Sequence, residues 1–230
     1  MTPILLIPGL LCSEEIFAPQ LPALWPHGPV TIASTLAGDT IPDMAARILA
    51  QAPPRFALVG VSMGGYIAFE IMRQAPERVM KLALICTSAW PDLPKQTAAR
   101  RKMVAQARAV GFERFLALGA DALTHPNRMG DPDLNAASIR MGRVVGLEGF
   151  VRQTEAVIAR ADSRPLLGSI KVPTVVIVGD LDPLTPMMLS EEMAEMIPGA
   201  KLVIAPDCGH VITLERPEVV NAALAEWLEA

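Results

Sequence analysis

Residues Ala57 to Phe69 read ALVGVSMGGYIAF: an apolar strand-like run, then Gly60-Val61-Ser62-Met63-Gly64, then apolar residues that resume at helical spacing. A serine between a strand and a helix must turn so sharply that only glycines fit beside it, and its hydroxyl is pushed out of the sheet edge. The N-terminus of the following helix and the backbone N–H of Met63 then face any anion that forms on an attacked carbonyl. The segment reads as a nucleophile elbow, with Ser62 as nucleophile and Met63 as one oxyanion donor.

On either side of this elbow, short runs rich in Val, Ile and Leu are bounded by turn residues: Ile4–Ile7, Val30–Ala33, Phe56–Val59, Leu82–Cys86, Thr174–Val178 and Lys201–Ile204. Their hydrophobicity is continuous rather than alternating, which predicts fully buried strands of a mostly parallel sheet covered on both faces. Helical patterns over Met44–Gln51, Gly65–Gln74, Leu189–Met196 and Val219–Glu229 lie between them. The rhythm predicts a doubly wound α/β fold. From about Pro94 to Arg164 there is no strand pattern, only helical segments broken by Gly111, Pro126, Gly130, Asp131-Pro132 and Gly146. The expectation is a core formed by residues 1–93 and 165–230, with residues 94–164 inserted as a helical cap over the carboxyl edge of the sheet, where ligand crevices lie.

A serine hydroxyl needs a base, and the base needs an orienting acid. Of three histidines, His27 lies in an early Pro/Gly turn and His125 between insertion helices, and both are expected to be exposed loop residues. His210 follows the strand KLVIA in Pro206-Asp207-Cys208-Gly209-His210, on the same edge as the elbow. The run VVIVGDLDPLTP offers two acids. Asp182 lies far enough out to turn back toward His210, whereas Asp180, next to Gly179, suits a turn or cap. The order Ser62, Asp182, His210 is the one expected of an α/β-hydrolase. A second oxyanion donor is expected at Leu10, in Ile7-Pro8-Gly9-Leu10-Leu11 after the first strand.

With these residues placed, the chain resembles the α/β-hydrolase superfamily over nearly its whole length. Within it the chain is similar to compact capped carboxylesterases and lactonases, including pimeloyl-carrier-protein methyl ester esterases and 3-oxoadipate enol-lactonases. The resemblance rests on LLIPGLL, LVGVSMGGYIAFEI, VPTVVIVGDLDPLTP and the run from Cys208-Gly209-His210 to Leu214-Glu215-Arg216-Pro217-Glu218. The family's G-x-x-D spacing, here Gly179 to Asp182, supports Asp182 as the acid. Where much of the family has His-Gly in the oxyanion loop, this chain has Pro8-Gly9, which leaves the Leu10 amide in place.

The function expected is hydrolysis of a small carboxylic ester or lactone without metal or organic cofactor. Candidate substrate contacts are Leu11, Trp90, Met129, Phe150 and Leu184, with Met187 nearby. Arg100, Arg101, Arg140 and Arg143 are candidates for either an acidic-substrate anchor or a solvated helix face. The same triad supports perhydrolysis or carbon–carbon bond hydrolysis, and the fold also serves as a small-molecule receptor. Halide displacement would need an aspartate at position 62.

Composition bounds these readings. At 230 residues and 51% hydrophobic content the chain suits one sizeable domain carrying an insertion. A net charge of −4 with no basic block removes the footprint of a nucleic-acid binder. Cys12, Cys86 and Cys208 lack disulfide or zinc spacing and are expected to be reduced thiols. With no secretory pattern and no apolar run of membrane-spanning length, the expected location is cytoplasmic. The apolar excess suits a dimer surface and a well-buried sheet equally.

Overall fold

The computed structural model describes residues 1–230. Six strands, β1 (Ile4–Ile7), β2 (Val30–Ile32), β3 (Phe56–Val61), β4 (Val79–Ile85), β5 (Thr174–Gly179) and β6 (Lys201–Ala205), form one parallel sheet in the order β2-β1-β3-β4-β5-β6. Along the central strands, successive side chains enter opposite layers. Leu5, Ile7 and Leu58 join one core with the helices of one face, while Ile4, Leu6, Ala57 and Val59 join a second core on the other. Two-sided burial is therefore why these strands carry no polar alternation. β2 and β6 depart from the expectation of full burial: they are edge strands, and Ile204 on β6 is 41% exposed.

The helices used below are α1 (Ile41–Gln51), α2 (Met63–Gln74), α3 (Pro94–Val110), α4 (Phe112–Gly119), α5 (Pro132–Ile158), α6 (Met187–Met196) and α7 (Pro217–Glu229). Four of them, α1, α2, α6 and α7, begin two or three residues before the apolar spacing does. In α1 the reason is local: Thr40 Oγ1 accepts the Asp43 N–H at 3.1 Å and Pro42 presets the first turn. Short helical turns over residues 14–27, which carry no clear periodicity, were outside the sequence expectation. The segment between β4 and β5 is helical, as expected. α3 and α4 pack on α5, and α5 changes direction at Gly146, whose φ is +70°.

Chain order reverses between β1 and β3, so the loops leaving these strands diverge and open a crevice at their carboxyl ends. Ile7 at the end of β1 pairs in register with Gly60 on β3, which sets the Pro8-Gly9 loop beside the elbow. The approach is too close for side chains. A methyl group at Gly64 would lie 2.1 Å from the Ile7 carbonyl oxygen, and one at Gly60 would lie 2.4 Å from that of Gly64. Gly64→Ala should therefore destabilise the protein by about 3 kcal/mol through overpacking. Gly119→Ala, on an exposed helix end where a methyl group meets nothing within 4 Å, should be neutral or stabilising by about 0.5 kcal/mol. Urea unfolding of the two variants checks both values.

Candidate active site

Ser62 sits between β3 and α2 at φ 53°, ψ −115°, a backbone region that L-residues avoid. Its N–H donates to the Ile85 carbonyl at 2.9 Å, and its own carbonyl accepts from Thr87 Oγ1 at 2.8 Å and Gly65 N at 2.9 Å. These bonds from β4, the loop after it and α2 hold the residue in this conformation and leave its hydroxyl facing the crevice.

His210 Nε2 lies 3.0 Å from Ser62 Oγ, and His210 Nδ1 lies 2.7 Å from Asp182 Oδ2. An ionised carboxylate can only accept, so Nδ1 carries the proton and Nε2 is left to accept from the serine hydroxyl. Asp182 is 4% exposed, and its carboxylate is also held by the N–H groups of Leu184 and Thr185 and by Thr185 Oγ1, at 2.8, 2.8 and 2.6 Å. Burial alone would raise its pKa. The facing imidazole and the hydrogen bonds from His210 and Thr185 outweigh that and keep it below the ordinary carboxylate value.

The structure thus brings together the three side chains selected from the sequence. Asp180 does something else: it accepts from the N–H groups of Asp207 and Cys208 at 3.1 and 3.0 Å, holding the loop that carries His210. Burial would raise its pKa too, and these two backbone donors hold it down.

A second carboxylate, Glu215, is 2% exposed and clamps the same loop from the other side. It accepts from Gly209 N and Val211 N, both at 3.2 Å, and from His125 N at 2.8 Å. His125 is therefore not the exposed loop residue expected: it is 4% exposed, because its backbone must reach Glu215 while its Nδ1 accepts from Asn127 N at 3.1 Å. The His210 N–H donates to the Leu123 carbonyl at 2.8 Å. The segment between α4 and α5 is in this way bonded directly to the His210 loop.

Across the crevice, Gly9 abuts the elbow, where a methyl group would lie 3.3 Å from Ser62 Cβ. Met63 opens α2, so its N–H has no partner within the helix. Leu11 has φ +60° and donates its N–H to Gln153 Oε1 at 3.0 Å.

The other candidates are dispersed. The Leu184 backbone caps Asp182 and its side chain is 37% exposed, while Met129 is 60% exposed. Phe150 is buried against Phe112 and Phe115. Trp90 Nε1 donates to Glu192, and the Arg164 guanidinium lies 3.6 Å from the centre of its ring. Arg100, Arg101, Arg140 and Arg143 each pair with a carboxylate, of Asp92, Glu155, Glu15 and Glu113 respectively.

All three cysteines are free thiols. Cys86 places its sulfur within 4.8 Å of donor atoms of Asp182 and His210, a spacing a metal could use. Those two residues satisfy each other, however, and burial pushes the Cys86 thiol well up, away from the thiolate a metal would need.

A model of the alpha/beta hydrolase family matches residues 4–223. The chain belongs to the alpha/beta hydrolase family. Among curated relatives of this hydrolase, the pimeloyl-[acyl-carrier protein] methyl ester esterase of Chromobacterium violaceum is 31% identical over 221 residues, covering 88% of this chain and 80% of that one. The protein of the same name from Edwardsiella ictaluri is 28% identical, covering 84% and 78%. Among solved structures, an esterase from Thermogutta terrifontis superposes with a TM-score of 0.87 at 28% identity, covering 100% of this chain and 90% of that one. The enol-lactonase of Burkholderia xenovorans gives a TM-score of 0.87 at 24% identity, covering 100% and 92%, a likeness of fold. This hydrolase is an enzyme of the carboxylic ester hydrolase class. No helix in it is long and apolar enough to cross a membrane.

Thr185, Glu215 and Gln153 escaped the sequence reading. Asp182-x-x-Thr185 is a capping spacing and was readable in principle, and Glu215 stands in a run already noted for its resemblance, but Gln153 sits in a helix with no local signal.

Against the opposing effect of burial, Asp180 and Asp182 are both held below the ordinary carboxylate range in the folded chain by the hydrogen bonds they accept. The unfolded chain therefore takes up more protons in that range, so their stabilising contribution is complete above it and is lost as pH falls through it. Thermal unfolding should show a Tm that falls steeply below about pH 4, with a shallower fall in Asp180→Asn.

Proposed function

We propose that this hydrolase cleaves a small carboxylic ester or lactone through an acyl-enzyme, with Ser62 as nucleophile, His210 as base and Asp182 as the acid that orients it. The observation that carries the reading is the continuous hydrogen-bonded line from Ser62 Oγ through both ring nitrogens of His210 to Asp182. Ser62 Oγ attacks the acyl carbon as its proton passes to Nε2, and the carbonyl oxygen becomes an oxyanion held by the N–H groups of Leu10 and Met63. The imidazolium formed is stabilised by the Asp182 carboxylate. When the tetrahedral intermediate collapses, the carbon–oxygen bond to the leaving group breaks and Nε2–H protonates the departing alkoxide. Water, deprotonated by the same nitrogen, then attacks the acyl carbon. The Ser62 ester bond breaks, the proton returns to Oγ, and the acid is released.

Residues 94–164 act as a cap over this site and residues 1–93 and 165–230 as its core. Support comes from the bonds that the insertion makes to Leu11 and to the His210 loop. Leu11 and Leu184, next to the oxyanion loop and the acid, are assigned to the acyl chain, with Met129 as the insertion's contribution. Trp90 and Phe150 serve the acyl pocket through packing. The low exposure of Ser62 and His210, 8% and 6%, favours a compact substrate, and the relatives named as methyl ester esterases favour a small alkoxide leaving group.

Steady-state hydrolysis of p-nitrophenyl esters from acetate to octanoate tests the reading. Turnover should peak at a short or medium chain, and Ser62→Ala should lower kcat by about 10⁴-fold or more with folding intact. A Ser62→Ala protein that keeps most of the activity would remove Ser62 from this role. Asp182→Asn should lower kcat by about 10³-fold or more, far beyond the effect of Asp180→Asn. The reverse ranking would shift the acid to Asp180.

A further inference from the structure

Gln153 lies on α5, outside the core, yet its side chain is buried, 1% exposed, at the edge of the oxyanion loop. Its amide uses both ends. Oε1 accepts the Leu11 N–H at 3.0 Å, while Nε2 donates to the carbonyl and the hydroxyl of Thr35 at 3.2 and 3.1 Å. Thr35, itself 3% exposed, follows β2, so the carboxamide bridges the loops leaving β1 and β2. Leu11 is one of only four non-glycine residues with positive φ, at +60°. A leucine there is strained, and an extended conformation would rotate the peptide planes of the loop. Within the loop the Cys12 N–H closes a turn on the Gly9 carbonyl at 3.2 Å, and Gln153, from the insertion, supplies the acceptor for the Leu11 amide.

We infer that Gln153 is a positioning residue for hydrolysis: by fixing the Leu11 amide at positive φ it aims the neighbouring Leu10 N–H at the oxyanion. The inference rests on the triad and oxyanion assignment proposed above. Its consequence is kinetic selectivity. A loop that is misaimed binds the neutral ester nearly as well as before and stabilises the charged intermediate less, so kcat falls while KM stays. The His210 line does not include Gln153, so the pH profile keeps its midpoint. A residue that merely supported the fold would lower stability without producing this pattern.

The test compares wild type, Gln153→Met, Thr35→Val and Ser62→Ala. The readouts are ester kinetics as a function of pH, and the rate at which a fluorophosphonate probe labels Ser62, followed by intact mass. The probe's phosphoryl oxygen must also enter the oxyanion hole. Removing one oxyanion donor outright costs about 10²- to 10³-fold, so misaiming one should lower both kcat and labelling rate by about 10- to 100-fold in Gln153→Met, with KM and pH midpoint unchanged. Thr35→Val, which leaves Oε1 in place and loosens only the other end, should lower both several-fold. It also serves as the reporter if Gln153→Met does not fold. Wild-type labelling rates in the folded variants, or a rise in KM equal to the loss in kcat/KM, would overturn the assignment of Gln153. Failure of the wild type to label at Ser62 would instead overturn the triad reading together with this one.

Discussion

The close contact between the start of α2 and the end of β1 is the constraint on which the rest of the molecule depends. Gly60 and Gly64 let the backbone fold back on itself within a distance that no side chain permits, and the register of Ile7 with Gly60 places the Pro8-Gly9 loop against the result. Within that geometry Ser62 takes its unfavourable φ of 53°. The strain is local and its restraints are not: a strand, the loop after it and a helix each supply a hydrogen bond to the Ser62 backbone.

Charge is distributed with the same economy. Three carboxylates surround the His210 loop, and each has a different task. Asp182 meets the imidazole and is kept ionised in a buried place by donors that compensate for lost water. Asp180 and Glu215 touch no ring atom; they hold the backbone on either side of His210 by accepting N–H groups that the loop cannot pair within itself. A loop that turns through Asp207 at φ +50° has no ladder partners, so side chains take their place.

Much of this was written plainly in the sequence. Buried strands announce themselves when both faces are covered, and Ser62, Asp182 and His210 each follow a strand at the same edge, so their placement after those strands brought the three side chains together. Edge strands were less legible, because Val30–Ile32 and Lys201–Ala205 share the composition of the central ones while only neighbours decide exposure. The sequence also misled on His125, since burial there follows from a bond to Glu215, a residue 90 positions away. Gln153 was invisible for the same reason: a glutamine in a helix has the same local pattern whether it meets water or a strained amide. What the chain does not spell out locally are polar contacts between segments far apart in sequence, and the bonds made by Leu123, His125 and Gln153 are of that kind.

The bond from His210 N–H to the Leu123 carbonyl gives the insertion a second meaning. Leu123 and His125 belong to the stretch bonded to the His210 loop, so displacing this stretch takes away an acceptor from the His210 backbone and a donor from Glu215. The backbone of residues 120–131 and the backbone of the His210 loop are thus held by one shared set of bonds, and neither is displaced without cost to the other.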